Sequence, residues 1–267
     1  MRVTSRTSAS KKAFSTNARL LAVDVGNTSA AFALFRNSRI VGRFRVRTDL
    51  LKSPTLDRFF RSIGPGKVRA AVIASVVPAA SSYLKRKLRQ KLRCPAWLIG
   101  RDIQVPMKNR YRRPGQVGID RLVNALAAYR QYGKELVIVD FGTAITFDVV
   151  SGRGEYLGGV IAPGIEISLD VLYQRTALLP RIRLTHPREI VGKDTRSSIR
   201  TGCTYGIGGL CDRILDEIKR SMGSPRPMVI ATGGYAGFMS RYCRNVRKID
   251  PDLIMKGIRQ TFLLAQK

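Results

Sequence analysis

Three carboxylates stand where a carboxylate can do chemistry. Asp24 ends the apolar run Leu20-Leu21-Ala22-Val23 and leads into Val25-Gly26-Asn27-Thr28. Asp140 ends Leu136-Val137-Ile138-Val139 and leads into Phe141-Gly142-Thr143-Ala144. Asp120 follows Gly118-Ile119 and precedes Arg121. The first two sites share a pattern, Asp-x-Gly-x-Thr and Asp-x-Gly-Thr, between apolar runs. Glycine lets a backbone turn tightly and approach an anion. Turn amides and threonine hydroxyls donate hydrogen bonds to phosphate oxygens. The acid itself repels phosphate unless a cation lies between them, which points to Mg²⁺ held largely through water. One such turn reads as an ordinary hairpin. Two, in opposite halves of the chain, read as the jaws of a nucleotide site. Thr232-Gly233-Gly234, after the apolar run Met228 to Ala231, adds a third glycine turn where the chain can pass close under an adenine or ribose.

Phosphoryl transfer also needs a group that positions and deprotonates the acceptor hydroxyl, and carboxylate is a common choice. Asp120 is the candidate, with an N-cap aspartate as the purely structural alternative. Arg121 beside it can grip an acceptor carboxylate in bidentate fashion. The single histidine, His186, precedes Pro187 and has no partner motif, so a Ser-His-Asp site is not expected.

The elements that must carry these groups follow from periodicity and punctuation. Residues 20–35 and 136–150 each read as strand, turn, strand, and 39–47 as a further antiparallel strand. Thr55 to Ile63 reads as a helix broken by Gly64-Pro65-Gly66. Ala70 to Val77 reads as a buried strand ended by Pro78. Ser81 is expected to cap a helix with a Leu84, Leu88, Leu92 stripe, its lysines and arginines forming a solvated face. The loop from Tyr111 to Arg121 leads into a helix from Leu122 to Tyr132, ended by Gly133. Further helices are expected from Ile165, from Ser197 to Lys219 and from Pro251 to Leu264, the last with proline in its first turn.

Bulk properties bound the class. At 267 residues and 44% hydrophobic content the chain can bury a large core. No apolar run approaches the roughly 20 residues that span a bilayer, so no membrane role is expected. Four cysteines without CxxC spacing point to free thiols and a cytoplasmic protein. The net charge of +30 would suit a polyanion, but the basic residues are spread along the chain, so nucleic acid is not the expected partner. Residues 1–18 contain no acid and no apolar period, and are expected to form a disordered tail.

Taken in order, the motifs resemble those of the type III pantothenate kinases, within the actin, sugar kinase and heat-shock ATPase superfamily. The resemblance runs from about Leu20 to about Phe262. It rests on Asp24-Val25-Gly26-Asn27-Thr28, Ala74-Ser75-Val76-Val77-Pro78, Gly118-Ile119-Asp120-Arg121, Asp140-Phe141-Gly142-Thr143-Ala144-Ile145-Thr146, Gly158 to Gly164, Arg175-Thr176-Ala177 with Leu179-Pro180, and Thr232-Gly233-Gly234.

The resemblance implies an α/β fold of two duplicated actin-like (ribonuclease H-like) lobes, each a mixed sheet with flanking helices, and nucleotide in the cleft between them. The lobes would span 19–117 and 118–267. It implies ATP-dependent phosphorylation of pantothenate, the first step of coenzyme A synthesis. Asp24, Val25, Gly26, Asn27 and Thr28 would form the first phosphate loop, with Asp24 near Mg²⁺. Thr143, Ala144, Thr232, Gly233 and Gly234 would serve the nucleotide, and Asp140 a monovalent cation, K⁺ or NH₄⁺. Asp120 would be the base. Tyr111, Gly118, Ile119 and Arg121 would form the pantothenate pocket. Thr195 would reach it from the neighbouring subunit, which implies a homodimer. Arg113, Ile119 and Ile145 depart from the family, which usually has Asn, Ala and Thr there. A catalytically weak nucleotide- or nucleic-acid-binding regulator, and a kinase for another hydroxy acid or polyol, are the alternative readings.

Overall fold

The structure, a computed structural model, describes residues 19–224 and 226–266; the expected N-terminal tail lies outside them. The chain divides into two compact units. One comprises residues up to Val25, Ser29–Pro106 and the segment from Ile258 on; the other comprises Gly26–Thr28 and Met107–Gly257.

In the first unit, the run from Leu20 to Val23 is buried on both faces, which is why it is continuously apolar rather than alternating. It forms β1 (Arg19–Val25), antiparallel to β2 (Ser29–Arg36) and parallel to β4 (Ala70–Ser75). β3 (Arg39–Arg47) pairs antiparallel with β2, and β5 (Ala96–Leu98) parallel with β4. The order is β3-β2-β1-β4-β5. Helices α1 (Pro54–Ile63) and α2 (Pro78–Leu92) cover one face, where Leu56, Phe60, Leu84, Leu88 and Leu92 join Leu21, Val23, Phe32 and Ile73 in one core.

Two expectations about α2 are corrected. It starts at Pro78, whose missing N–H costs nothing in a first turn. Ser81 lies inside the helix, and its hydroxyl donates to the Val77 carbonyl at 2.9 Å instead of capping. The basic face is also not wholly solvated: Lys87 is buried, with Nζ 2.8 Å from Tyr83 Oη and 3.1 Å from Asp57 Oδ1.

The second unit has the same plan. β6 (Leu136–Phe141) is antiparallel to β7 (Ala144–Val150) and parallel to β9 (Met228–Thr232). β8 (Tyr156–Pro163) pairs antiparallel with β7, and the short β10 (Lys248–Ile249) parallel with β9, giving the order β10-β9-β6-β7-β8. α3 (Ile119–Tyr132) covers one face, through Ala125 and Ala128 against Leu136, Ile138, Val150 and Ile230. α4 (Ile165–Arg175), α5 (Thr195–Met222) and α6 (Ala236–Met239) cover the other, through Ile165, Leu169, Ile207, Cys211, Leu215 and Met239.

Helix starts differ from expectation where side chains intervene. α3 begins three residues early, so Asp120 and Arg121 sit in its first turn. α5 begins at Thr195 because Asp194 accepts from the Ser197 amide at 2.9 Å while the Ser197 hydroxyl donates to Asp194 O and lies 3.1 Å from the Asp194 amide that donates to it, a capping box. α7 (Leu253–Ala265) begins after Pro251 rather than at it. In the first unit its Arg259 donates to the Asn37 carbonyl at 2.7 Å, and Phe262 meets Trp97 with ring centres 6.4 Å apart. Among the described residues no helix is long and apolar enough to cross a membrane. All four cysteines are free.

Candidate active site

Asp120 is the second residue of α3, and Gly118 is the N-cap. The N-cap reading of Asp120 therefore fails. Its Oδ1 accepts from the Arg121 amide at 2.9 Å. A side chain on Gly118 would place its Cβ 2.4 Å from that oxygen, so glycine is what lets the carboxylate fold over the helix start. Burial pushes the Asp120 carboxyl above the usual carboxylate range, against the opposing pull of the Arg121 amide and charge. A raised carboxylate pKa is what a general base working near neutrality needs.

Arg121 is almost fully buried. Its Nε donates to Asp148 Oδ1 at 2.7 Å. Tyr156 Oη donates to the same oxygen at 2.8 Å, and Thr146 Oγ1 to the other at 3.1 Å. Asp148 is completely buried in β7; burial pushes its pKa up, and the Arg121 charge and these donors pull the other way. One end of the guanidinium, Nη2, is buried with no hydrogen-bond partner. It lies beside Gly159, where a Cβ would fall 2.6 Å from it.

Gly159 also lines a groove of about 700 Å³, together with Gly158, Leu157, Gln116, Tyr111 and the arginines 110, 112 and 113. Its loop wall is set by Asn109, whose Oδ1 accepts from the Tyr111 amide at 2.9 Å, and by a 3-10 turn at Pro114–Gln116. Of the acceptor-site residues expected from sequence, Tyr111 lines the groove and Arg121 abuts one of its walls. Gly118 and Ile119 open the adjoining helix. Thr195 is exposed at the first position of α5 and is not among the lining residues.

Asp140 is the last residue but one of β6. Asn124 Nδ2, from α3, donates to its Oδ2 at 3.2 Å. Gly142 and Gly233 close on its Oδ1, at 3.2 and 2.3 Å from where their Cβ atoms would be, and Gly233 has φ +90°. The Asn124 Oδ1 is buried without a partner. Carboxylate and amide oxygens held by two glycine turns make a fitting donor set for a monovalent cation. Thr232 is buried and paired with Asp140 across the sheet, while Gly234 is exposed. Thr143 and Thr28 are both exposed, and their hydroxyls are 3.1 Å apart. Ala144 opens β7 just beyond, and Gly164 packs so closely on Thr143 that a Cβ would lie 1.9 Å from its carbonyl oxygen.

Asp24 is half-buried near the end of β1, opposite Ala31 and Ala74. The side chain of Val25 is in the core, so only its backbone can serve a ligand. Gly26 and Asn27 form the turn. Among the described residues no three His, Cys, Asp or Glu side chains group as a metal cage. His186 is exposed, stacked on Phe238 at 4.4 Å and hydrogen-bonded to Tyr242, far from a triad role.

Sequence reasoning missed Asp148, Tyr156 and Asn124. A signal existed for Asp148: like Asp24 and Asp140 it is an acid inside an otherwise largely apolar strand, in a chain with just 18 acids.

The sequence profile of the type III pantothenate kinases matches residues 20–217. A type III pantothenate kinase of Geotalea uraniireducens is 39% identical over 247 residues, covering 90% of this chain and 96% of that one. Among solved structures, a Campylobacter jejuni protein assigned to the Baf family of transcriptional activators superposes with TM-score 0.56 at 20% identity, covering 91% of this chain and 96% of that one. An inorganic polyphosphate/ATP-glucomannokinase of Arthrobacter superposes with TM-score 0.51 at 15% identity, covering 93% and 100%. These structural likenesses speak for the actin-like fold of two duplicated lobes, each with a mixed sheet and flanking helices. The sequence match speaks for more: the chain belongs to the type III pantothenate kinase family.

Proposed function

We propose that this protein transfers the γ-phosphoryl group of ATP to the primary hydroxyl of pantothenate, giving 4'-phosphopantothenate in the first step of coenzyme A synthesis. The observation that carries the reading is the first turn of α3, which presents a half-buried carboxylate of raised pKa, Asp120, next to Arg121 beside an arginine-lined groove.

In this reading the acceptor carboxylate is drawn to Arg121 and the groove arginines, and Tyr111 packs along the chain of the substrate. Asp120 takes the proton of the hydroxyl as its oxygen attacks the γ-phosphorus and ADP departs. Phosphoryl transfer has little covalent work for the protein, so positioning and electrostatics supply most of the acceleration. The phosphates are served by the turn amides from Val25 to Thr28 and by Thr143 and Ala144, with Thr232, Gly233 and Gly234 under the nucleoside. Asp24 would hold Mg²⁺, which when bound would supply neutralising charge for the transferring phosphates. Asp140 and the Asn124 side-chain oxygen would hold the monovalent cation, K⁺ or NH₄⁺.

The working form in this reading is a cytoplasmic homodimer in which Thr195 of one subunit completes the acceptor site of the other. Its support is apolar exposure in the second unit: Val160 and Ile161 on the edge strand β8, Val171 on α4 and Tyr205 on α5 are all open to solvent. Exposed apolar side chains of this kind are what a subunit contact would cover. The test is an ATP-consumption assay with pantothenate against a panel of hydroxylated acids, with Mg²⁺ and K⁺ each omitted in turn. Turnover confined to pantothenate with both ions present is expected. Equal turnover of unrelated hydroxy acids would overturn the substrate assignment.

A further inference from the structure

The acceptor-side arginine is not free to move. Its Nε is committed to Asp148 at 2.7 Å, and Asp148 is itself held by Tyr156 at 2.8 Å and Thr146 at 3.1 Å. The Tyr156 ring also lies against the guanidinium, with its centre 5.9 Å from Cζ. Asp148 and the Tyr156 ring therefore hold Arg121 directly, Thr146 holds it through Asp148, and Nη2 is buried without a partner against Gly159 of the groove wall. Gly159 on β8 pairs with Asp148 on β7, so the strand beside the acid supplies the opening. A Cβ at Gly159 would clash with both the Phe147 carbonyl at 1.9 Å and Nη2 at 2.6 Å.

An unsatisfied buried guanidinium nitrogen is costly unless something binds it. A buried carboxylate paired with that arginine adds no affinity for an anionic acceptor; it subtracts charge from the site. What it contributes is direction. An arginine held at Nε presents its remaining N–H groups in one fixed plane and direction, and planar recognition of a carboxylate depends on that.

We propose that Asp148, with Tyr156, is a positioning pair that sets acceptor specificity: it aims Arg121 so that acceptors carrying a carboxylate at a fixed distance from the hydroxyl are selected over neutral ones. The proposal rests on the reading of Arg121 as the carboxylate contact. Neither residue touches substrate; both act through Arg121.

The test compares pantothenate with panthenol, the same molecule with CH₂OH in place of the carboxylate, in wild type, Asp148→Asn and Tyr156→Phe. Tyr156→Phe keeps the ring and removes one hydrogen bond, so it guards against simple misfolding of the Asp148 variant. Wild type should favour the acid strongly in kcat/KM. Both variants should lose that preference, by up to roughly 10²-fold for Asp148→Asn, the scale that a small misplacement of a positioning group costs. The loss should lie in KM for pantothenate, with KM for ATP and turnover of panthenol unchanged. Preserved discrimination in both folded variants, with only a lower melting temperature, would reduce the network to a structural role and overturn the proposal. If wild type phosphorylates no hydroxy acid at all, the functional reading falls and this inference with it. If wild type uses pantothenate and the variants discriminate as well as it does, the inference alone falls.

Discussion

The two sheets share one strand order and nearly one register, yet equivalent positions carry opposite chemistry. Each has a central strand with an acid as its last residue but one, Asp24 or Asp140, between an antiparallel meander and two parallel strands. Aligning those acids makes Ala22 the counterpart of Ile138, and hence Ala33 the counterpart of Asp148. Both positions are buried. In the first sheet the position is a methyl group in an apolar layer. In the second it is the hub of an ionic network with Arg121 and Tyr156. The same alignment pairs Ser75 with Gly233. Ser75 bonds only to nearby backbone, its hydroxyl accepting from the Val77 amide at 3.1 Å, while Gly233 presses on the Asp140 carboxylate. A duplicated scaffold has kept these positions plain in one half and, in the other, placed an ionic network and a glycine pressed on a carboxylate there.

If the halves are this unequal, the largest effect should come from the loaded one. Asp120→Ala should keep its fold and lose about 10²–10⁴-fold in kcat, the usual share of a general base. Steady-state kinetics alongside a melting curve decides it; near-normal turnover would remove Asp120 from the base role.

Copying the acid into the plain half should hurt stability instead. Ala33→Asp buries a charge with no arginine to meet it and should cost about 3–5 kcal/mol, as uncompensated buried charges do. Urea denaturation measures it. A cost under about 1 kcal/mol, the level of a tolerated surface change, would mean that the two sheet interiors differ less than the register says.

The glycine pair gives a smaller contrast. Gly233→Ala forces a side chain into a positive-φ turn, a strain of about 1–3 kcal/mol, and displaces the Asp140 carboxylate. It should therefore lower stability and raise the K⁺ concentration for half-maximal activity. Ser75→Ala loses one local hydrogen bond, about 1 kcal/mol, and should leave the K⁺ response unchanged. A titration of activity against KCl for both variants separates them.

The smallest effect is in pH. The folded-state pKa of Asp120 is raised, so between the ordinary carboxylate pKa and the raised value the folded state binds more protons than the unfolded one. Stability from this group is therefore present at low pH and declines as pH rises through the folded pKa. Asp120→Asn should remove that decline and leave the protein slightly more stable at neutral pH while nearly inactive. Melting temperatures across a pH series, wild type against variant, test the sign.

Much of the fold was legible in sequence because it is local. The central strands, the Leu84-Leu88-Leu92 stripe and the Gly133 stop depend on spacing along the chain, and a spacing is what a sequence displays. Both acid-glycine turns and Asp120 were legible for the same reason: the chemistry sits within a few consecutive residues. The start of α2 was misread because Ser81 looks like a cap, whereas Pro78 already supplies a compatible first turn. The start of α3 was misread because Gly118 is a weak cap signal, and its role is clear only once the Asp120 carboxylate is seen folding over it.

By itself the sequence determined two repeated strand-turn-strand units, the identity of the candidate base and the family. Only the tertiary structure decided which partners those groups have. Arg121 meets Asp148 across 27 positions, and Asn124 meets Asp140 across 16. Gly233 reaches Asp140 only because β9 lies beside β6 in parallel register. Such pairings depend on which strands neighbour each other and on where a helix settles on a sheet. A buried charge is tolerable only where that long-range packing brings its counter-charge within hydrogen-bonding distance, and no local pattern records that.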